Sequence, residues 1–550
     1  MNFRNNMRNK IIGLGIVLIA FIATNTSAQE KNNFEIYKNL ELMELVYQNV
    51  DMYYVDDPQP GALMKTGIDA MLKSLDPYTV FYAESNIEDY RFMTTGQYGG
   101  IGSLIRKIDD NVVIAEPYEN NPAHTAGLRA GDVILSVDGK DASGISTSEV
   151  SKMLKGQKGT SIEVEIDRLG EGVKKITVDR DEIKLPDVPY TGMLDDKTGY
   201  AKLNSFTKTA YTEVLKAYQN LEKEGMKQFI LDLRGNGGGL LMEAVKIVNI
   251  FVKKNQLVVY TKGKVKEKNH TYKTRMNPVN TKIPVVILVD GNSASASEIV
   301  SGALQDLDRA VVIGNTTFGK GLVQQTLDLK YNAKMKVTIA KYYTPSGRCI
   351  QKLDYAHKGA EFSDSLIKKF ETVNGREVID ARGVEPEFKV ELPMLSRLTA
   401  TLLFNNLIFN YATLYRSKNN AIAKASDFKL TEKEYQDFVT YLSDKEYDYS
   451  TASQELLERL EETAKQEKYL DNAKEEYAAL LAKLTPSKEE DLKRFQSEIT
   501  ELLEDEIVSR YYFQNGRAAL ALKTDLYVKK AIEVLNNQEL YNATLKNNVK

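Results

Sequence analysis

The chain has 550 residues, 42% hydrophobic and 27% charged, with a formal net charge of −3. That is too long for one ordinary domain and apolar enough for several folded cores, and the near-balance of charge offers no basic stripe for a nucleic acid. Cys349 is the one cysteine, so internal disulfides and multi-cysteine zinc sites are excluded; His124, His270 and His357 are the three histidines, a scarcity that limits histidine-based metal sites and histidine-based catalysis, and no metal is expected.

In chain order, Arg4, Arg8 and Lys10 precede an apolar run, Ile11 to Ala23, and the small residues Thr26-Ser27-Ala28. This pattern predicts a signal peptide over 1–28 and an exported protein of the periplasm or cell envelope, membrane-associated only if the segment is retained. No cysteine lies near the cleavage site, which excludes a lipoprotein. Residues 29–93 are expected to be helical: Leu40, Met43, Val46 and Tyr47, then Ile68, Met71, Leu72 and Leu75, recur at helical spacing. From 94 to 180 the chain is glycine-punctuated, with short β-type runs at Val112–Ala115, Val133–Val137 and Ile162–Ile166. From 181 to 393 apolar strands (Phe229–Leu233, Val285–Val289, Val311–Ile313) alternate with helices, which predicts an α/β core with a buried sheet. Residues 394–550 read as charged helices, with Leu456, Leu457, Leu460 and Tyr469 as an apolar seam and Lys488-Glu489-Glu490-Asp491 on a solvated face.

Three segments of the α/β region carry potential chemistry. DGNSASASE, residues 290–298, follows a strand and opens a helix. The free amides of a helix N-terminus favour an anion there, so Ser295 could be a nucleophile with the Ala296 amide receiving the developing charge. Ser295-x-x-Glu298 is equally a capping box. GNTTFGKG, residues 314–321, approaches a phosphate-binding loop, but Gly321 stands where the magnesium-ligating hydroxyl belongs. Lys320 is either an ordinary glycine-turn lysine or, held neutral by burial, a base for Ser295, with Gln324 four residues on to support it. LDLRGNGGG, residues 231–239, exposes backbone amides at a strand-to-helix turn and does not fit a dinucleotide fingerprint.

LDLRGNGGG, GNSASASEI, GALQDLDRA, TFGKGLVQ and YYTPSGR, in that order, resemble the C-terminal processing peptidases, or tail-specific proteases. The resemblance covers roughly 35–390. It implies a multidomain α/β protein: a ClpP/crotonase-like protease core with an inserted PDZ-like β domain and helical N- and C-terminal regions. It implies a serine endopeptidase with Ser295 as nucleophile, Lys320 as base, Gln324 in support, and oxyanion amides from Ala296 and from Gly237 or Gly238, with no cofactor. Residues 94–180 resemble a PDZ domain in which Tyr98, Gly99, Gly100, Ile101 and Gly102 form the carboxylate-binding loop and the following strand pairs with a peptide. The partners implied are proteins with exposed C-terminal tails; a homodimer and a substrate-delivering adaptor are further expectations. Two other readings stand beside this one: a non-catalytic PDZ assembly protein with a vestigial core, and a nucleotide binder using 314–321.

Overall fold

The computed structural model describes residues 33–84, 95–485 and 487–546, and the expected signal segment 1–28 lies outside them. The chain divides into two compact units, 1–83 and 84–550. In the first, residues 33–53 and Pro60–Lys73 are helical. Pro58 and Pro60 interrupt what the periodicity joins, and Pro60 starts the second helix at a position where a missing amide costs nothing. Val80–Tyr82 is a strand rather than the expected helix; the Asp76 carboxylate, which accepts from the amides of Tyr78 and Thr79, closes the turn before it.

The second unit begins with the PDZ module. Strands Ser103–Ile108, Asn111–Pro117, Val133–Val137, Ser161–Arg168 and Gly172–Asp179 form one antiparallel sheet in that spatial order. Ser103–Ile108 is an edge strand, and helix Thr147–Leu154 closes the module's core. Gln97–Gly100 and Asp181–Lys184, the two segments that enter and leave the module, pair with each other.

The catalytic-type core is a six-stranded sheet in the order Tyr190–Met193, Thr198–Lys202, Gln228–Asp232, Val285–Val289, Val311–Gly314 and Phe388–Lys389, parallel except for its first pair. Both faces are covered, which is why its central strands read as unbroken apolar runs. Phe229, Leu231, Val285 and Ile287 pack under helices Ala210–Lys223, Leu241–Phe251 and Ala296–Asp306. Ile230, Val286, Leu288 and Ile313 face helices Leu526–Asn536 and Gln538–Leu545. The last forty residues of the described chain therefore include the second cover of the core sheet. A smaller antiparallel sheet contains Leu322–Asp328, Lys334–Tyr343, Leu257–Gly263 and Thr271–Lys273.

Residues 397–521 build a helical domain with its own core, led by Leu398, Ile408, Phe438, Ile499 and Ile507. The seam expected from the sequence is not that core. Only Leu457 of the four is buried; Leu456, Leu460 and Tyr469 are exposed. Asp491 of the charged run is buried and accepts from the Tyr449 hydroxyl at 2.8 Å. The domain packs on the PDZ sheet: the guanidiniums of Arg106 and Arg510 both lie over the Phe409 ring, and Ile108 and Val113 touch Phe409.

This contact contains a titrating group. Burial pushes the Asp505 carboxyl up to about 6 from an ordinary 3.8, with Arg517 opposing. A carboxyl raised on folding contributes stability that is full below its unfolded value and is lost as pH rises through the folded one. Asp505→Asn should therefore flatten the fall in stability between about pH 4 and pH 6.5, by on the order of 1–2 kcal/mol after solvent screening. Denaturant midpoints of wild type and variant across that range check it; parallel curves refute it.

Candidate active site

The parallel strands Gln228–Asp232 and Val285–Val289 are neighbours and end at the same edge of the sheet. Their carboxyl ends are where an open α/β sheet places ligands. The turn after the first is the glycine run 235–239; the turn after the second carries Ser295 into helix Ala296–Asp306. Ser295 has φ 56° and ψ −108°, a backbone conformation L-residues rarely adopt. Such strain persists only where surroundings enforce it and concentrates at functional sites.

The enforcement is specific. Asn236, fully buried, accepts from the Ala294 amide at 3.0 Å and the Ser297 hydroxyl at 2.8 Å through its carbonyl, and its side chain donates to Leu203. The Ser293 hydroxyl donates to the Leu233 carbonyl at 2.9 Å. Ser293 and Ser297 thus stitch the serine turn to the glycine turn, each bond adding about 1 kcal/mol. Ser295 alone of the three serines is left only half-buried at the cavity. Glycine is required beside it: a Cβ on Gly238 would lie 2.8 Å from the Ser295 Cβ.

The same geometry separates the two candidate amides of the turn. The Gly238 amide donates to its neighbour Asn236 Oδ1 at 2.8 Å. The amides of Gly237 and Ala296 make no hydrogen bond among the described residues.

Lys320 lies on the loop after strand Val311–Gly314 and lines, with Ser295, Ala296, Gly237, Gly238 and Gln324, a cavity of about 830 Å³. Gly319 and Gly321 flank it because segment 350–352 crosses there: a Cβ on either would come within 2.5 Å of the Lys352 Cβ or 2.8 Å of the Gln351 amide. Gln324 sits at a register shift in the pairing of Leu322–Asp328 with Lys334–Tyr343, and donates to the Thr338 hydroxyl at 3.2 Å. Such irregularities re-aim side chains near active sites. Lys336, which the sequence did not single out, lines the same cavity, and burial pushes its amine below the usual lysine range.

Glu298 joins the two halves. Its fully buried carboxylate accepts from the Ser295 amide at 2.8 Å, the Lys320 amide at 2.9 Å, the Gly319 amide at 2.7 Å and the Thr317 hydroxyl at 2.6 Å. Burial pushes this carboxyl up and the four donors pull it down, burial being the larger. Half of the capping motif seen in the sequence is formed: Glu298 accepts from the Ser295 amide and reaches on to the lysine loop, while the Ser295 hydroxyl makes no cap hydrogen bond.

These bonds also dispose of the phosphate-loop reading. The amides of residues 317 to 321 donate to Val384, Ser293, Glu298, Glu298 and Gln351 in turn, and a strand rather than a helix follows. No amide of that run is left to cradle a phosphate, and a carboxylate occupies the place.

The C-terminal region reaches the glycine turn as well. Arg234 pairs with Asp232 at 2.6 Å and with Asp525 at 2.8 Å, while its guanidinium lies 4.6 Å from the Tyr527 ring centroid. Burial pushes the Asp232 carboxyl up, but Lys202 and Arg234 outweigh it and hold it below the usual range.

In the PDZ module, Tyr98, Gly99 and Gly100 belong to the strand paired with Asp181–Lys184, so the turn itself is Ile101-Gly102. Gly99 has room for no side chain: the Gly156 carbonyl oxygen would be 2.1 Å from a Cβ. The carbonyls of Ile101 and Gly102 accept from Ala123 and Tyr118.

Fold and site together define a PDZ-bearing serine hydrolase. Comparison with known proteins places it further. A model of peptidase family S41 matches residues 197–356, a PDZ-domain model residues 113–168, and a "Probable PDZ-protease, C-terminal helical domain" model residues 398–535. The "Carboxy-terminal-processing protease" of Bartonella bacilliformis is 34% identical over 343 residues, 62% of this chain and 78% of that protein. A "Probable CtpA-like serine protease" of Staphylococcus aureus is 35% identical over 342 residues, 62% of this chain and 68% of that protein. Among solved structures, a photosystem II D1 C-terminal processing protease aligns at 28% identity over 63% of this chain and 91% of that one, with a TM-score of 0.35. The chain belongs to the PDZ-containing C-terminal processing peptidases of family S41 and is a serine-type peptidase.

Proposed function

We propose that the protein is an exported endopeptidase that captures the C-terminal tails of other proteins and cleaves them with a Ser295–Lys320 dyad. The observation that carries this is the strained Ser295 backbone, tied through Glu298 to the backbone of Lys320 and opening on one cavity with it. Lys320, neutral, takes the Ser295 hydroxyl proton as the oxygen attacks the scissile carbonyl, with Gln324 supporting the amine. The oxyanion is received by the unspent amides of Ala296 and Gly237; Gly238, its amide engaged, serves the close approach. The protonated lysine then gives its proton to the leaving amine, and water attacks the acyl-enzyme by the same route reversed. Leu240, Leu241, Ile299, Leu322 and Val323 line the cavity and suit apolar side chains at the cut.

The PDZ module would hold the tail by strand addition to its edge strand Ser103–Ile108, with the terminal carboxylate at the Ile101-Gly102 turn reached from Tyr98, Gly99 and Gly100. The basic and apolar N-terminal pattern supports export to the periplasm or envelope; among the described residues no helix is long and apolar enough to cross a membrane. The domain limits 1–28, 29–93, 94–180, 181–393 and 394–550 serve this scheme, as would a homodimer or a delivering adaptor. Mass spectrometry of an unstructured substrate with an apolar tail, incubated with wild type and Ser295→Ala, tests it. Discrete fragments from wild type and none from the variant are expected; equal cleavage by both sinks the assignment.

A further inference from the structure

The catalytic cavity has a wall that the protease core does not supply. Gln514, from helix Gln496–Ala521 of the C-terminal region, lines it together with Ser295, Lys320 and Tyr118 of the PDZ module. The helix is broken one residue earlier. Phe513 has φ 52° and ψ −155°, a region that residues with side chains seldom enter.

That conformation is enforced from two sides. The Phe513 ring packs edge-on against His124 of the PDZ module, 4.7 Å between centroids. Three residues on, a Cβ on Gly516 would meet the Tyr512 Cβ at 2.2 Å, so the chain returns to helix through a glycine that admits no side chain. One turn before the kink, Arg510 lies over Phe409, the ring that also carries Arg106 of the PDZ sheet. The break is therefore fixed to the PDZ module while the next residue faces the dyad's cavity.

Gln514 is exposed there, and its carboxamide makes no hydrogen bond among the described residues. It also lines an adjoining cavity of about 260 Å³, and Pro189 and Asn204 border both spaces. A carboxamide both donates and accepts, which matches the alternating groups of an extended main chain and asks nothing of its sequence.

We propose that Gln514 is a substrate-binding residue: its carboxamide takes main-chain hydrogen bonds of the extended polypeptide between the PDZ module and Ser295, and the Phe513 kink positions it. This rests on the peptidase reading above. Gln514→Met keeps length and helix propensity and removes both hydrogen-bonding functions. In the full chain, KM for an unstructured tailed protein should rise about five- to twentyfold with kcat within about twofold, while a fluorophosphonate labels Ser295 as in wild type. Gln514→Asn, which keeps a carboxamide, should recover part of the KM. If Gln514→Met has wild-type KM with labelling intact, this inference falls and the dyad stands. Equal losses of kcat and melting temperature in both variants would make the residue structural and also overturn it. Wild-type protein that neither cleaves nor labels would overturn the peptidase reading itself.

Discussion

Lys320→Ala is expected to lower kcat by between about 10² and 10⁴-fold, the range of a positioned general base, with KM for a tailed substrate little changed. Lys320→Arg should be as inactive. It keeps a cation on a long stem, but guanidinium does not give up its proton in a protein. The pair separates a base from a mere positive charge: an arginine variant retaining more than a tenth of wild-type kcat would make the role electrostatic. The cavity contains a rival, Lys336, whose amine burial pushes down. It lies on strand Lys334–Tyr343 opposite Thr326, whereas the Lys320 amide shares one carboxylate with the Ser295 amide. Lys336→Ala should therefore lower kcat less than about tenfold, well below the base's range. Steady-state kinetics of the three variants decide between the two lysines, and the reverse ranking would move the base to Lys336.

What the sequence made legible was whatever is local. Val285–Val289 is both a run of five apolar residues and the observed strand, because a strand buried on both faces needs no periodicity to be recognised. The serine turn, the glycine turn and the lysine loop were each visible as motifs. Their coupling was not. Glu298 reaches 19 to 22 residues along the chain to Thr317, Gly319 and Lys320, and Asn236 accepts from Ala294 and from Ser297, 61 residues away. Bonds of that span leave no spacing to detect. The charged tail misled for a related reason. Asp491 reads as a solvated charge in sequence, yet it is buried against Tyr449, and Asp525, which no motif marks, pairs with Arg234 at the glycine turn. An acidic residue's partner, not its neighbours, decides whether it faces water.

Glu298→Gln should be costly in a way its near-identity of shape hides. The carboxylate gives two acceptor oxygens to four donors. A carboxamide keeps one oxygen and turns an NH2 group toward the donors of the other. If the oxygen stays with Thr317 and Gly319, the amides of Ser295 and Lys320 are left facing hydrogens. Each buried donor without an acceptor costs about 1–3 kcal/mol, so with two released the variant should lose roughly 2–6 kcal/mol of stability by denaturant unfolding. The larger effect should be on catalysis. The amides released belong to Ser295 and Lys320, the proposed nucleophile and base, and a displacement of about 1 Å between reacting groups can cost about 10²-fold. We expect kcat to fall by at least that factor at temperatures where the variant is folded, with KM nearly unchanged, since the strand proposed to bind the tail, Ser103–Ile108, is in another module. Glu298→Asp should not rescue, because a side chain one methylene shorter cannot span both segments. A glutamine variant with kcat within about threefold of wild type would show that the serine and the lysine hold their places without the shared carboxylate.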